Sequence, residues 1–177
     1  MAETLIEVFP QLGQIADDDL RNKVEKCWLE SLKRGGWKIG DLETIPFTML
    51  SDLKSISLAS HTRNVTNCSI AVAEVMNKTG IEAFDIDFDL LIAGGILHDV
   101  GKAMEYGFKD NDWFVTESGR LLRHPISGAT LAAEMGLSEK VQHMIAVHSH
   151  EGDKSPRLTE AWIVHHCDFI NFDPIKR

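Results

Sequence analysis

The chain has 177 residues, 44% of them hydrophobic and 25% charged, and its formal net charge is −9. This composition is that of an ordinary globular domain, large enough to bury a core of its own. The acidic balance argues against a nucleic-acid-binding surface, because phosphate backbones are bound mainly by clustered Lys and Arg.

The spacing of apolar residues predicts an all-α protein, since intervals of three and four recur along the chain and strict alternation is almost absent. Residues Asp17 to Lys33 form the first long predicted helix, and the segment from Trp37 to Met49 is expected to be irregular. We therefore predict an N-terminal helical extension over residues 1–57, packed on a main domain over residues 58–177.

The main domain begins with a predicted helix from Leu58 to Lys78. Its expected inner face comprises His61, Val65, Cys68, Val72, Val75 and Met76. The next helix, Asp89 to Val100, is apolar on nearly all sides, which is typical of the central helix of a bundle. Residues Glu105 to Arg120 show no period, and we expect a loop that covers one end of the bundle, as functional lids do.

Three further helices are predicted after this loop. His124-Pro125 opens the first, because proline is tolerated at the first helical position. Ser138 caps the second, and the third begins near Ser155-Pro156 or Thr159. Each of these helices is expected to direct inward one side chain of a kind that binds metal ions, namely His124, His148 and Asp168.

The adjacent residues His98 and Asp99 follow an apolar run, residues 90–97. An uncompensated buried polar group costs about 1–3 kcal/mol, and a bare charge costs more, so a bound metal ion would account for the pair. The alternative is a core histidine bonded to a carbonyl group, followed by an aspartate that faces water.

Taken together, the chain offers six candidate ligands: His61, His98, Asp99, His124, His148 and Asp168. Imidazole and carboxylate groups suit iron, manganese, nickel, cobalt or zinc. Six ligands are more than one catalytic ion needs, whereas two ions sharing a carboxylate would use them all. Two alternatives remain open from the residues, namely His150 in place of His148 and Asp173 in place of Asp168.

The order His61, His98-Asp99, Asp168 resembles the H…HD…D signature of the HD-domain superfamily of metal-dependent phosphohydrolases, over roughly Leu58 to Asp173. The resemblance implies a helical bundle with the site among its helices. His124 in HPISGA and His148 in AVHSHEG look like the extra ligands of the binuclear subgroup. That likeness implies that Asp99 bridges two ions, with His61, His98 and Asp168 on one ion and His124 and His148 on the other.

The resemblance further implies that Lys102, in HDVGK, is a catalytic residue beside the anionic group of the substrate, together with Asp99. Four basic residues in nearby loops are candidates for phosphate contacts: Arg120, Arg123, Lys154 and Arg157. The chain has no GYP element of the kind found in the cyclic di-GMP phosphodiesterases of the superfamily, which makes that substrate unexpected.

We therefore expect a phosphohydrolase that binds two divalent transition metal ions and acts on a small nucleotide or other phosphate ester. Iron or manganese is the preferred assignment of the metal, with nickel, cobalt and zinc as alternatives. No nucleic-acid partner is expected, because the net charge is −9. No membrane partner is expected either, because the longest apolar run is too short to span a bilayer. The chain has no CxxC pair among Cys27, Cys68 and Cys167, which predicts reduced thiols and a cytoplasmic location.

Two other functions fit the same residues. The six candidate ligands also resemble those of the mixed-valent diiron oxygenases of the superfamily, which cleave carbon–carbon or carbon–phosphorus bonds. A non-catalytic ligand sensor is the third possibility, although such a protein has no need for a complete ligand set.

Overall fold

The computed structural model describes residues 2–50, 53–81 and 84–176, and it confirms the all-α prediction. The α-helices are α1 Leu5–Val8, α2 Asp18–Gly35, α3 Leu58–Asn77, α4 Phe88–Leu97, α5 Lys102–Glu105, α6 Glu117–Glu134, α7 Glu139–Val147 and α8 Thr159–Phe172. Short 3-10 turns lie at Pro10–Gln14, Ile39–Glu43 and His150–Gly152. One antiparallel hairpin completes these elements, with β1 Tyr106–Lys109 and β2 Asp112–Val115.

The apolar helix α4 is the centre of the bundle, as its sequence predicts. Residues 90–97 are all buried, and the helix packs against α2, α3, α7 and α8. Two polar side chains of α2 bond to carbonyl groups in this region: Trp28 Nε1 donates to Ile96 O at 3.1 Å, and Ser31 Oγ donates to Val100 O at 2.6 Å. These bonds satisfy backbone acceptors that no water reaches.

Local capping signals fix the helix ends close to the predicted positions. The Asp17 carboxylate accepts hydrogen bonds from two amides in the first turn of α2, and Gly36 ends that helix in the left-handed region at φ 79°. Ser138 caps α7 in the same way, and α3 agrees with its predicted bounds within one residue. One face assignment is wrong, because Val75 is 66% exposed.

The predicted irregular conformation of Glu105 to Arg120 is wrong. This segment contains the hairpin and the first turn of α6. Asp110 and Asn111 connect the two strands with φ angles of 53° and 62°, the positive values that a two-residue hairpin turn requires. Strands of four residues are too short to show an alternating pattern, and Asp-Asn is a weaker turn signal than Asn-Gly.

Helix α6 is two helical segments joined by a kink. Arg123 has non-helical backbone angles (φ 49°, ψ 150°), so Pro125 stands near the start of the second segment, in agreement with the predicted helix start. The predicted continuation of α4 to Val100 is also wrong, since α4 ends at Leu97. Within the described ranges, no helix combines the length and the apolarity needed to cross a membrane.

Candidate metal centre

Two of the six candidate ligands directly follow helices. His98 stands after the last residue of α4, and His148 stands after the last residue of α7. In each residue Nδ1 lies 2.7 Å from a carbonyl oxygen three residues earlier, that of Gly95 or Ile145. A carbonyl can only accept, so Nδ1 carries the proton and Nε2 offers a lone pair. The free carbonyls of a helix end thus orient both rings.

His61 and Asp168 approach the same point from α3 and α8. His61 Nε2 lies 3.0 Å from Asp168 Oδ1, and the ring stacks on Phe47 with centroids 4.4 Å apart. His61 is 3% exposed. The first turn of α3 and the middle of α8 therefore meet beside the end of α4.

Asp99 lies at the centre of the cluster, and its two carboxylate oxygens face different imidazoles. Oδ2 lies 3.6 Å from Nε2 of His61 and 3.3 Å from Nε2 of His98. Oδ1 lies 3.3 Å from Nε2 of His124 and 3.5 Å from Nε2 of His148. One carboxylate thus connects two separate pairs of imidazole nitrogens.

The chemistry of this cluster fits divalent metal ions. Two buried groups can hold an ion, because their ligand atoms lie within 4.8 Å of one another: His61, His98 and Asp99 in one, and Asp99, His124 and His148 in the other. Among the described residues, three of these buried atoms make no hydrogen bond of acceptable geometry although a nitrogen or carboxylate oxygen lies 3.0–3.3 Å away, namely His61 Nε2, His98 Nε2 and Asp99 Oδ1. Orphaned buried polar atoms are costly, and a cation would compensate all three.

The electrostatics of the cluster favour a bound cation. Burial lowers the pKa of His61 and of His124, so both rings are neutral near pH 7, the form that binds metals. At His98 burial acts in the same direction, but the Asp99 carboxylate, together with Asp168 and the bond to Gly95, reverses it and raises the pKa, so a metal ion at His98 has to displace a proton. Burial acts to raise the pKa of Asp99, but the Lys102 ammonium together with the imidazoles of His98 and His148 outweighs it, and the pKa lies well below its usual value.

Lys102 is buried in the cluster rather than free in the cavity. Its ammonium donates to Asp99 Oδ2 at 2.7 Å and to the carbonyl oxygen of Phe47 at 2.6 Å. The sequence predicts a contact with the substrate at this position. The structure shows, in addition, that Lys102 neutralises one oxygen of Asp99.

A cavity of about 170 Å³ opens beside Asp99. Its aromatic lining residues are Phe47, Tyr106, Phe169 and Phe172, and its polar lining residues include Lys102, Arg123, His124, His148 and Asp168. A concave site with apolar walls and a few converging polar groups is the usual form of a small-molecule site.

The four predicted phosphate-binding residues differ in their positions. Arg123 lines the cavity, with Nε 3.6 Å from Glu105 Oε1 and Nη2 3.5 Å from Glu151 Oε1. Arg157 does not line it, and its guanidinium donates to the carbonyl oxygens of Val147, the last residue of α7, and of Ser149. Arg120 and Lys154 are exposed and are not part of the lining.

The two alternative ligands lie outside the cluster. The His150 side chain is 72% exposed at the rim of the cavity, where Nδ1 lies 3.0 Å from Asp153 Oδ2. Asp173 is exposed beyond the end of α8. His148 and Asp168 are therefore the residues that the fold brings to Asp99 and His61.

Sequence reasoning missed Glu105 in the surroundings of the cluster, where His165 also makes a contact. Glu105 is 3% exposed, and its Oε2 lies 2.7 Å from His124 Nδ1. His165 Nδ1 lies 2.6 Å from the carbonyl oxygen of His148. The separations are 19 and 17 residues, so no local pattern in the sequence indicates either contact.

Comparison with known proteins gives a consistent family match. The family model described as HD domain matches residues 58–171. Ribonuclease Y of Thermotoga maritima is 29% identical over 153 residues, which cover 85% of this chain and 27% of that protein. Dihydroneopterin 2',3'-cyclic phosphate phosphodiesterase of Methanocaldococcus jannaschii is 33% identical over 116 residues, which cover 63% of this chain and 44% of that protein. The chain thus spans less than half the length of these relatives. No solved structure gives a significant match.

Proposed function

Because the chain belongs to the HD-domain family, we propose that it is a metal-dependent phosphohydrolase that acts on a small nucleotide or other phosphate ester. The observation that carries this proposal is the position of Asp99, whose two oxygens face two different pairs of imidazoles. Binuclear centres that share one carboxylate are well suited to displacement at phosphorus, because they stabilise the attacking and leaving oxygens together.

We propose the following ligand assignment, which these distances and the contact of His61 with Asp168 support. His61, His98 and Asp168 would hold one divalent ion, and His124 and His148 would hold the other, with Asp99 shared between them. We propose iron or manganese as the metals, since the set contains imidazoles and carboxylates and no thiolate. When bound, such ions activate water and polarise phosphoryl oxygens.

The residues around the centre support binding and orientation of the substrate. Lys102 holds Asp99 in place through its 2.7 Å bond, and its charge lies beside the cavity. Arg123 lines the same cavity with a side chain that is 52% exposed, so its guanidinium is available to a phosphate that enters. Four aromatic side chains, Phe47, Tyr106, Phe169 and Phe172, form apolar walls beside the polar groups.

The size of the cavity limits which part of the substrate is buried. It encloses about 170 Å³, whereas sites that bury a drug-sized ligand usually enclose about 300–1,000 Å³. We therefore propose that the reacting phosphate and the atoms next to it are buried, and that the rest of the ester lies at the mouth beside Phe169. Both relatives have names that describe the cleavage of phosphate esters, a phosphodiesterase and a ribonuclease.

The decisive experiment is a turnover assay with manganese-loaded protein under strictly anaerobic conditions. Phosphomonoesters, nucleoside 2',3'-cyclic phosphates and a short single-stranded RNA are offered in parallel, with Asp99→Asn as the inactive control. We expect hydrolysis of a small ester without dioxygen, and slower cleavage of RNA because the chain has a net charge of −9.

Three outcomes would replace this proposal. Turnover that requires dioxygen and iron would establish a mixed-valent diiron oxygenase. Faster cleavage of RNA than of every small ester would establish a ribonuclease. Tight binding of an ester without any turnover would establish a ligand sensor. We also propose a cytoplasmic location, which is supported by the three free cysteines.

A further inference from the structure

His124 differs from the other helix-end histidines in its position along the helix. His98 and His148 follow the last turns of α4 and α7, where a carbonyl three residues earlier fixes Nδ1–H. His124 instead stands next to the kink at Arg123, at the start of the second segment of α6. The start of a helical segment presents free N–H groups and no free carbonyls. The ring of His124 therefore needs an acceptor from another part of the chain.

Glu105 supplies that acceptor. Its Oε2 accepts a hydrogen bond of 2.8 Å from the backbone N–H of His124 and lies 2.7 Å from Nδ1 of the same residue. A carboxylate can only accept, so Nδ1 carries the proton, and in the neutral ring Nε2 then holds the lone pair that a metal ion needs; this atom lies 3.3 Å from Asp99 Oδ1. One oxygen thus fixes the backbone, the ring and the tautomer of His124.

The surroundings of Glu105 hold it rigidly. The residue is 3% exposed at the end of α5, and its carbonyl oxygen accepts the Thr116 N–H at 2.9 Å. Gly119 lies so close that a Cβ there would stand 2.7 Å from Glu105 Cγ. Arg123, whose backbone is strained, directly precedes His124. Glu105 therefore accepts the first backbone N–H after the strained residue.

We propose that Glu105 is a positioning residue that fixes the ring orientation and tautomer of His124 and so holds the second metal ion at full affinity. The inference rests on the proposed two-ion centre. Removal of a carboxylate that accepts a hydrogen bond from a ligating imidazole commonly lowers metal affinity by about 10–100-fold.

The test compares three substitutions at Glu105 by cobalt titration, with the number of bound ions and the visible absorption of Co²⁺ as readouts. Glu105→Gln keeps the reach of the side chain and an accepting oxygen, whereas Glu105→Asp keeps the charge and loses reach. We expect Glu105→Ala and Glu105→Asp to bind the second ion at least about tenfold more weakly than wild type. Glu105→Gln should stay closer to wild type.

A second readout uses the metal-free protein. Long-range ¹H–¹⁵N spectra report which ring nitrogen of His124 carries the proton. We expect the Nδ1–H tautomer in wild type and in Glu105→Gln, and its loss in Glu105→Asp. Glu105→Asp provides this evidence even where Glu105→Ala fails to fold.

Glu160→Gln is the matched control. Glu160 is 7% exposed, and its Oε1 accepts the Asp87 N–H at 2.9 Å, so it is also a buried carboxylate bonded to a backbone amide near the start of a helix. It contacts no imidazole in the described hydrogen-bond network. This variant should lower the unfolding temperature and leave the affinity for both cobalt ions unchanged.

Several results would overturn the proposal. They are wild-type affinity for the second ion in Glu105→Ala, an equal loss in Glu160→Gln, or a weaker second site in Glu105→Gln than in Glu105→Asp. If wild type itself binds a single cobalt ion, the two-ion centre is wrong. The tautomer measurement in the metal-free protein then decides the role of Glu105 separately.

Discussion

Lys102 Nζ donates a hydrogen bond of 2.7 Å to Oδ2 of Asp99, and both residues are buried. Oδ2 is also the oxygen that faces His61 and His98. The cluster therefore contains a fixed cation that partly neutralises its central carboxylate before any metal binds. Lys102 and the proposed metal ions would thus compensate the negative charge of Asp99 together.

Lys102→Met should destabilise the metal-free protein strongly. Methionine fills most of the volume but leaves Asp99 as a buried charge without its partner, a change that costs about 3–5 kcal/mol. Added Mn²⁺ should restore most of the loss, because an ion at Asp99 replaces the missing positive charge. Thermal unfolding with and without Mn²⁺ measures both effects.

Lys54→Met is the control for that experiment. Lys54 pairs with Asp112 at 3.4 Å on the surface, where the Asp112 side chain is 78% exposed. Surface pairs contribute about 0–1 kcal/mol, so little change is expected, with or without Mn²⁺. Equal losses of stability in the two lysine variants would show that the buried pair of Lys102 and Asp99 contributes no more to stability than a surface pair.

Metal stoichiometry should separate the two ligand groups. Under the proposed assignment, His124→Ala and His148→Ala each remove a ligand from one group only, so each should lower the metal content from two ions per chain toward one. Asp99→Ala removes the shared carboxylate and should abolish metal binding and activity together. Elemental analysis of gently purified protein gives the counts. One ion per chain in wild type, unaffected by either histidine substitution, would contradict the binuclear assignment.

Gly101→Ala should disturb the centre although Gly101 contributes no side chain. A Cβ at this position would overlap the carbonyl oxygen of His124 and lie 2.8 Å from His124 Cα, so the backbone has to move. We expect a loss of about 1–3 kcal/mol and weaker binding of the second ion. Chemical denaturation and metal titration measure the two effects.

Gly13→Ala is the matched control, because a Cβ there meets only the Ile6 side chain at 3.6 Å, an ordinary contact. It should bind both ions as wild type does. Full metal occupancy in Gly101→Ala would mean that the approach of the two backbones is not needed for the centre.

The thiols give an independent test of the packing. Burial raises the pKa of Cys27 and of Cys167 to about 12, so neither forms an appreciable amount of thiolate at pH 8. In the folded protein both should react slowly with a thiol reagent, while the partly exposed Cys68 reacts first. Timed labelling followed by peptide mass analysis assigns the rates. Rapid labelling of Cys27 would show that α2 does not pack on α4 as described.

Much of the fold could be predicted from the sequence because helix signals are local. The cap at Asp17, the stop at Gly36 and the cap at Ser138 each involve neighbours within a few residues, and the structure has helices at these places. The apolar run of residues 90–97 likewise indicated the central helix. The order of His61, His98-Asp99 and Asp168 was sufficient to indicate the family.

The family likeness implies the grouping of the candidate ligands, whereas the contacts that build the centre could only be decided by the tertiary structure. The division of Asp99 between two pairs of imidazoles depends on how four helices meet, and Lys102 finds its second acceptor at Phe47, 55 residues away. The hairpin was not predicted from the sequence, because short strands carry no clear period. The kink at Arg123 was not predicted either, because backbone strain depends on the surrounding contacts. Local propensity fixes where helices begin and end, whereas the partners of a buried charge are fixed by packing between distant segments.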